Sequence, residues 1–384
     1  MKKIVVFICL SALLAPGLSA QNLPVGKRRS PGQGRISARD ITMGPRFVID
    51  SSADSTERQF PFAYKFGSNV LVSYSEHKDA VIAAPVDAMM ISRDNGNTWK
   101  EKLTNKDFYI SSMVEKNGIL YGVVYFTYPV SSGQERMVYW TSGDMGRSWK
   151  KHEGVVNAPK GRKFKANGIT GIWGSMLFHR GMQVMEDGSI QGVMYGYFAG
   201  EDKYSVVWVR SNDNCATWNV VSVVASGLPE GNFKNAEGYC EPTFAKTRDG
   251  SLLCVMRISS YLPLYQCRSS DNGKNWSRPI PLPGLADTAS ESVDPQLVLM
   301  KNGVLALTYG RPGDRMAFSG DGCGYHWDSS LPTYEKETTG YTTMVEAGPG
   351  KLLLISDQGR TGARQIAIWG RFISVAPGNS RIRL

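Results

Sequence analysis

The chain of 384 residues is 42% hydrophobic and 20% charged, with a formal net charge of +10. That apolar content supports a packed core and excludes a disordered chain. The basic residues are scattered, only Lys27-Arg28-Arg29 and 160–165 being dense, so the pattern lacks the basic clusters and stacking aromatics of a nucleic-acid surface and no nucleic-acid partner is expected.

The first twenty residues read as an export signal. Lys2 and Lys3 precede the apolar run 4–14, and Gly17-Leu18-Ser19-Ala20 offers small residues for cleavage after Ala20. That run is too short to span a bilayer and no other segment approaches the necessary length, so the mature protein is expected to be periplasmic or secreted, without membrane insertion. Residues 21–38 form a polar lead-in containing Gly, Pro and Arg, and 39–384 read as a single domain.

From there one pattern recurs. Ser92-Arg93-Asp94-Asn95-Gly96-Asn97-Thr98-Trp99 returns at 142–149, 211–218, 269–276 and 319–327. Each copy predicts strand, tight turn, strand: the Asp bonds backbone N–H groups of its own turn, the Gly takes positive φ, and the Trp packs against the neighbouring unit. The third copy carries Cys215 at the Gly position, and the fifth has one extra residue before Trp327. A second punctuation precedes each copy: Gly67-Ser68, Asn117-Gly118, Asp187-Gly188, Asp249-Gly250 and Asn302-Gly303, with Gly348-Pro349-Gly350 as a sixth. Each separates two apolar runs, as hairpin turns do.

Repeats at this period predict an all-β, six-bladed propeller of four-stranded antiparallel blades. The sixth unit covers 341–355 and turns at 356–359 without a Trp, and the ring closes through a strand near Phe47-Val48-Ile49 or the run 365–374. The interval 150–211 is long and suggests a loop over the channel mouth. Five cysteines, Cys215, Cys240, Cys254, Cys267 and Cys323, follow the signal, an odd number without zinc spacing, and read as buried free thiols. The four histidines show no metal-ligand spacing, and neither a phosphate loop nor a Gly-x-Ser-x-Gly elbow is present.

The repeated Ser-x-Asp-x-Gly-x-Thr-Trp pattern resembles the Asp box of the sialidase (neuraminidase) superfamily, and the resemblance covers about 40–375. It implies the six-bladed propeller, a monomer, no cofactor, no metal, and a glycan or acidic-sugar substrate. Asp boxes lie on the outer turns of blades and occur in proteins of other function, so activity must rest on other residues.

Several positions are similar to that family's site. Glu241 and Arg257 resemble the nucleophile's Glu partner and a carboxylate-binding Arg; Arg311 resembles the next such Arg; Tyr341, in Gly-Tyr-Thr-Thr-Met-Val, resembles the nucleophile; and Asp79 lies where the mobile acid/base is found. A sialic acid bears a carboxylate on its anomeric carbon, which repels a carboxylate nucleophile and favours a Tyr assisted by Glu. Arg forks bind the substrate carboxylate, while Asp79 protonates the leaving oxygen. One departure is clear: Arg58-Gln59-Phe60-Pro61 places Gln59 where the first clamp Arg is expected, and Arg58 points to the opposite strand face unless a bulge intervenes. His77 stands near another expected Arg, and Arg315 is a possible replacement within the clamp.

The expected function is therefore exo-hydrolysis of a terminal acidic sugar, retaining configuration through a tyrosyl intermediate. The alternatives are a glycosidase or lyase acting on a uronic acid or on a 2-keto sugar acid other than sialic acid, and a non-catalytic glycan-binding propeller. Each site assignment has a plainer reading: Glu241 and Arg257 as a cross-strand ion pair, Tyr341 as a channel-lining aromatic, Asp79 as a loop acid with Asp87 also in range. Asp294 and Glu237 are further acids near the same segments.

Overall fold

The computed structural model describes residues 35–52, 56–77, 86–106, 108–165, 174–231, 233–285, 293–359 and 367–376. The proposed signal segment and Asp79 lie outside them. Among the described residues the only helical element is the short turn Ala38–Asp40; everything else regular is strand.

Strand β1 (Ile41–Ser51) is followed by antiparallel meanders. The first contains β2 (Gln59–Phe66), β3 (Asn69–Ser75), β4 (Val86–Ser92) and β5 (Glu101–Lys106). Next come β6 (Ile110–Lys116), β7 (Ile119–Ser131), β8 (Gln134–Ser142) and β9 (Lys150–Asn157), then β10 (Met176–Val184), β11 (Ile190–Gly196), β12 (Ser205–Ser211) and β13 (Thr217–Ser226). Two further sheets comprise β14 (Cys240–Lys246), β15 (Leu252–Arg257), β16 (Tyr265–Ser269) and β17 (Ile280–Pro281), and β18 (Gln296–Leu299), β19 (Leu305–Gly310), β20 (Asp314–Ser319) and β21 (Ser329–Tyr334). The last sheet holds β22 (Thr342–Gly348), β23 (Lys351–Gln358) and β24 (Ala367–Val375), completed by β1 on the outside of β24. Both candidate closing segments thus meet in one sheet, Phe47 opposite Gly370 and Val48 opposite Trp369.

The arrangement is propeller-like, but the strands fall into four four-stranded sheets and one of eight. The larger sheet joins β6–β9 to β10–β13 through parallel pairing of the outer strands β9 and β13, with Val155 opposite Thr217 and Val156 opposite Trp218. Gly154 permits this approach, since a Cβ there would meet Ala216 O at 2.7 Å. Two other expectations are corrected. Residues 356–358 continue strand β23, and Asp357 is buried in it. The interval 150–211 is mostly β9 to β12, with the connection 158–175 between β9 and β10.

Successive side chains of each strand face opposite neighbours, and both neighbours are apolar. On β3, Val70 and Val72 pack with Leu353 and Ile355 of β23, while Leu71 packs with Ile110 and Leu120 of the next meander. The same two-sided burial continues around the molecule and returns from the last sheet to the first. The boxes lock these contacts. Asp94 accepts from Thr98 N at 2.8 Å and Thr98 Oγ1 at 2.7 Å, and Trp99 Nε1 donates to Gly96 O at 3.0 Å. Gly96 is glycine for two reasons: its φ is +87°, and a Cβ would stand 2.3 Å from Leu353 of the neighbouring sheet. Cys215 occupies the equivalent position of the third box at φ +75°, with its N–H donating to Ser211 Oγ at 2.9 Å.

Each box joins the third strand of a meander to the fourth. First strands therefore begin, and second strands end, at the face opposite the boxes.

Candidate active site

That opposite face gathers the residues with chemistry. Glu241 is the second residue of β14, Arg257 ends β15, Arg311 follows β19, and Tyr341 precedes β22. The backbone is unusual here: Phe60, Glu241, Asp294 and Arg311 have φ of +59°, +43°, +48° and +64°, in three different sheets or their approaches. Non-glycine residues rarely hold such conformations, and they concentrate where function requires a fixed side-chain direction. Breaks in pairing register between Gln59 and Phe62 and between Cys240 and Thr243 mark bulges at the same level, which turn side chains away from strict alternation.

Glu241 is the hub. Its Oε1 accepts from Tyr341 Oη at 2.5 Å and from Arg257 Nη1 at 2.6 Å, while Oε2 accepts from Asp294 N at 2.9 Å. The carboxylate is 4% exposed. Burial alone would raise its pKa, but the Arg257 guanidinium, then His179 and the Tyr341 hydroxyl, hold it below the ordinary Glu value. The Tyr341 phenol moves the other way, well above its usual value, because burial and the Glu241 charge both disfavour phenolate. The ion pair of the plainer reading exists, and the same carboxylate also holds Tyr341.

Arg257 and Arg311 converge on one hydroxyl. Arg257 Nη2 donates to Ser260 Oγ at 3.1 Å and Arg311 Nη1 to the same atom at 2.9 Å. Arg257 Nη2 also bonds Glu237 Oε2 at 2.7 Å, and Arg311 Nη2 bonds Thr339 O at 2.9 Å. Gln59 is buried and its amide donates to Glu57. Although a bulge follows it, Arg58 turns to Asp50 at 2.6 Å and Glu76 at 3.1 Å, and so does not enter the cluster. Arg315 also stands apart on β20, its Nε donating to Ser330 Oγ on the outer strand β21 at 3.2 Å. His77 lies 3.7 Å from Asp87.

Two residues outside the sequence reading complete the floor. Arg180, from β10 and 3% exposed, donates to Thr342 O at 2.6 Å and Pro61 O at 2.7 Å, and lies 2.5 Å from Asp294 Oδ2. His179 Nε2 stands 3.2 Å from Asp294 Oδ1, with Nδ1 beside Pro242 O at 2.8 Å. The contacts to the Asp294 carboxylate are close ion-pair approaches without aligned hydrogen bonds. Arg180 thus ties together the backbones beside Phe60 and Tyr341, while His179 contacts the backbone beside Glu241. The available signal was the polar pair His179-Arg180 inside the apolar run of β10. Aromatic rings form one wall: Phe60 packs edge-on to Tyr341 at 4.7 Å, and Tyr109, Tyr125 and Tyr195 follow, the last two joined through their hydroxyls. Burial and then the Glu241 charge raise the Tyr125 phenol well above its usual value.

This geometry can place a weak oxygen nucleophile and its base at hydrogen-bond distance beneath two guanidinium groups.

Comparison with known proteins agrees in fold. The family model described as a BNR repeat-like domain matches residues 119–354. No curated protein sequence matches the chain. Among solved structures, a protein of unknown function from Dyadobacter fermentans superposes with a TM-score of 0.67 at 15% identity, covering 88% of this chain and 99% of its own. A NanB sialidase from Streptococcus pneumoniae gives 0.62 at 13% identity, covering 86% and 71%. Trypanosoma rangeli sialidase gives 0.56 at 14%, with 83% of this chain matching 55% of that one, so the chain spans about half the trypanosomal protein. At these identities the likeness is one of fold. Together with the family match, it establishes that the chain belongs to the BNR repeat-like family and has the Asp-box fold of the sialidase superfamily.

Proposed function

We propose that this protein is an exo-glycosidase that removes a terminal acidic sugar, sialic acid or a close analogue, from glycans. It works from a six-bladed propeller in which the eight-stranded sheet counts as two blades. The six apolar clusters, each lying between successive meanders, support that count.

The observation that carries the functional reading is the 2.5 Å bond from Tyr341 Oη to Glu241 Oε1, with Arg257 on the same oxygen. In the resting site the proton stays on Tyr341, because the phenol is raised and the carboxyl lowered. Positive charge developing at the anomeric carbon favours phenolate and reverses that preference, so Tyr341 attacks as Glu241 takes its proton. Arg257 and Arg311 hold the substrate carboxylate, and Asp79 is assigned the proton for the leaving oxygen. No cofactor enters the scheme. Gln59, buried and bonded to Glu57, supplies no cation, and this favours a second reading: a glycosidase or lyase acting on a uronic acid or on a 2-keto sugar acid other than sialic acid.

The test is hydrolysis of 4-methylumbelliferyl α-sialoside and glucuronide by the wild type and Tyr341→Phe. Turnover of either conjugate, reduced in the variant by about 10²-fold or more, supports the reading. Full activity in Tyr341→Phe would remove Tyr341 as nucleophile, and silence on every acidic conjugate would remove the hydrolase assignment.

A further inference from the structure

Arg257 is ion-paired to two carboxylates, and only one belongs to the proposed chemistry. Glu241 is buried and fixed by three partners. Glu237 is different: its side chain is 44% exposed while its Oε2 holds Arg257 Nη2 at 2.7 Å. Its backbone is pinned on both sides, N–H donating to Ile258 O at 3.1 Å and C=O accepting from Tyr204 N at 3.0 Å. A fixed Cα with an exposed carboxylate is free to swing by side-chain rotation alone. Arg257 Nε, on the same guanidinium edge as Nη2, is buried without a hydrogen-bond partner among the described residues. Arg311, by contrast, meets only neutral oxygens among the described residues, Ser260 Oγ and Thr339 O.

We propose that Glu237 is a specificity-determining residue: an internal carboxylate that occupies Arg257 in the resting site and competes there with the carboxylate of an incoming sugar acid. The inference rests on the assignment of Arg257 to substrate-carboxylate binding. An acidic sugar first meets Arg311, which no carboxylate among the described residues pairs, then displaces Glu237 and takes the Nε and Nη2 edge of Arg257 as a bidentate pair. A neutral sugar has no group able to replace Glu237 on that edge. The site therefore pays for selectivity in affinity, discriminating by exchange of one anion for another.

The test is calorimetric titration of N-acetylneuraminic acid, D-glucuronic acid and the methyl ester of N-acetylneuraminic acid into the wild type, Glu237→Gln and Glu237→Ala. Removing the competitor is expected to tighten binding of at least one free acid about tenfold in both variants and leave the ester unchanged. Equal affinities for the acids, a matching gain for the ester, or no acid binding to any of the three proteins would each overturn the proposal. The hydrolase reading is judged separately by turnover, so tighter acid binding without sialoside hydrolysis would retain Glu237 as competitor and discard the reaction.

Discussion

Arg180→Met, measured alone and with Asp294→Asn, tests whether the floor of the site is held by charge. Arg180 and Asp294 are 3% and 0% exposed, their nearest atoms 2.5 Å apart. Removing the guanidinium leaves the Asp294 carboxylate buried with His179 as its remaining basic neighbour and takes the donors from Thr342 O and Pro61 O. Breaking one partner out of a buried pair typically costs about 3–5 kcal/mol, because the surviving charge is uncompensated; about 4 kcal/mol is expected here, a loss of about 8 °C in Tm at roughly 2 °C per kcal/mol for a protein of this size. The double variant removes both charges, and Asn tolerates the φ of +48° at this position. It should therefore recover at least about 2 kcal/mol relative to Arg180→Met, a coupling well outside additivity. Urea unfolding of the wild type, Arg180→Met, Asp294→Asn and the double variant, followed by tryptophan fluorescence, supplies all four corners of the cycle. A single-variant loss under about 1 kcal/mol, or strict additivity in the double variant, would refute the argument that charge pairing holds this floor.

Two further outcomes follow from the electrostatics. Asp94→Ala removes the acceptor for Thr98 N and Oγ1 and should cost about 1 kcal/mol at neutral pH. Because hydrogen bonds, first from the Thr98 backbone, lower Asp94 to about 2, that difference should vanish as pH falls from about 4 to about 2; thermal melts across that range check it. Asp314 behaves oppositely. Burial, with the Asp357 charge adding to it, raises its pKa well above the ordinary value, so above about pH 4 the unfolded chain has released a proton that the folded protein retains, and stability declines as pH rises. Asp314→Asn should show a smaller fall in Tm between about pH 5 and about pH 8 than the wild type; an equal fall would exclude Asp314 as a source of the slope.

How much of this was legible in the sequence depended on whether a feature was local. The box turns and the hairpin turns are written in adjacent residues, because Asp94, Gly96 and Trp99 bond within one short segment. Glu241, Arg257, Arg311 and Tyr341 were reachable through resemblance, and they do meet. What was hidden is set by approach between distant strands. The junction of β9 with β13 depends on Gly154 fitting against Ala216, and nothing in either strand alone announces it. Asp357 reads as a turn residue beside Gln358 and Gly359, yet Thr338, Thr339 and the Phe60 N–H satisfy it inside a strand. Arg180 bonds residues from two other sheets, so its role emerges only once those sheets surround it.

The pairing of β1 with β24 also governs the order in which the molecule can be assembled. Ile41 lies opposite Val375, so the earliest described strand waits for the latest, its one partner among the described strands, before it is paired. Contacts spanning nearly a whole chain form slowly, since the loop-closure entropy is lost before the contact returns anything. During that wait the outer edge of β23 and all of β1 offer unpaired N–H and C=O groups, an invitation to association with other chains. Synthesis that halts before residue 367 would therefore leave two unsatisfied edges, one at each end of the polypeptide.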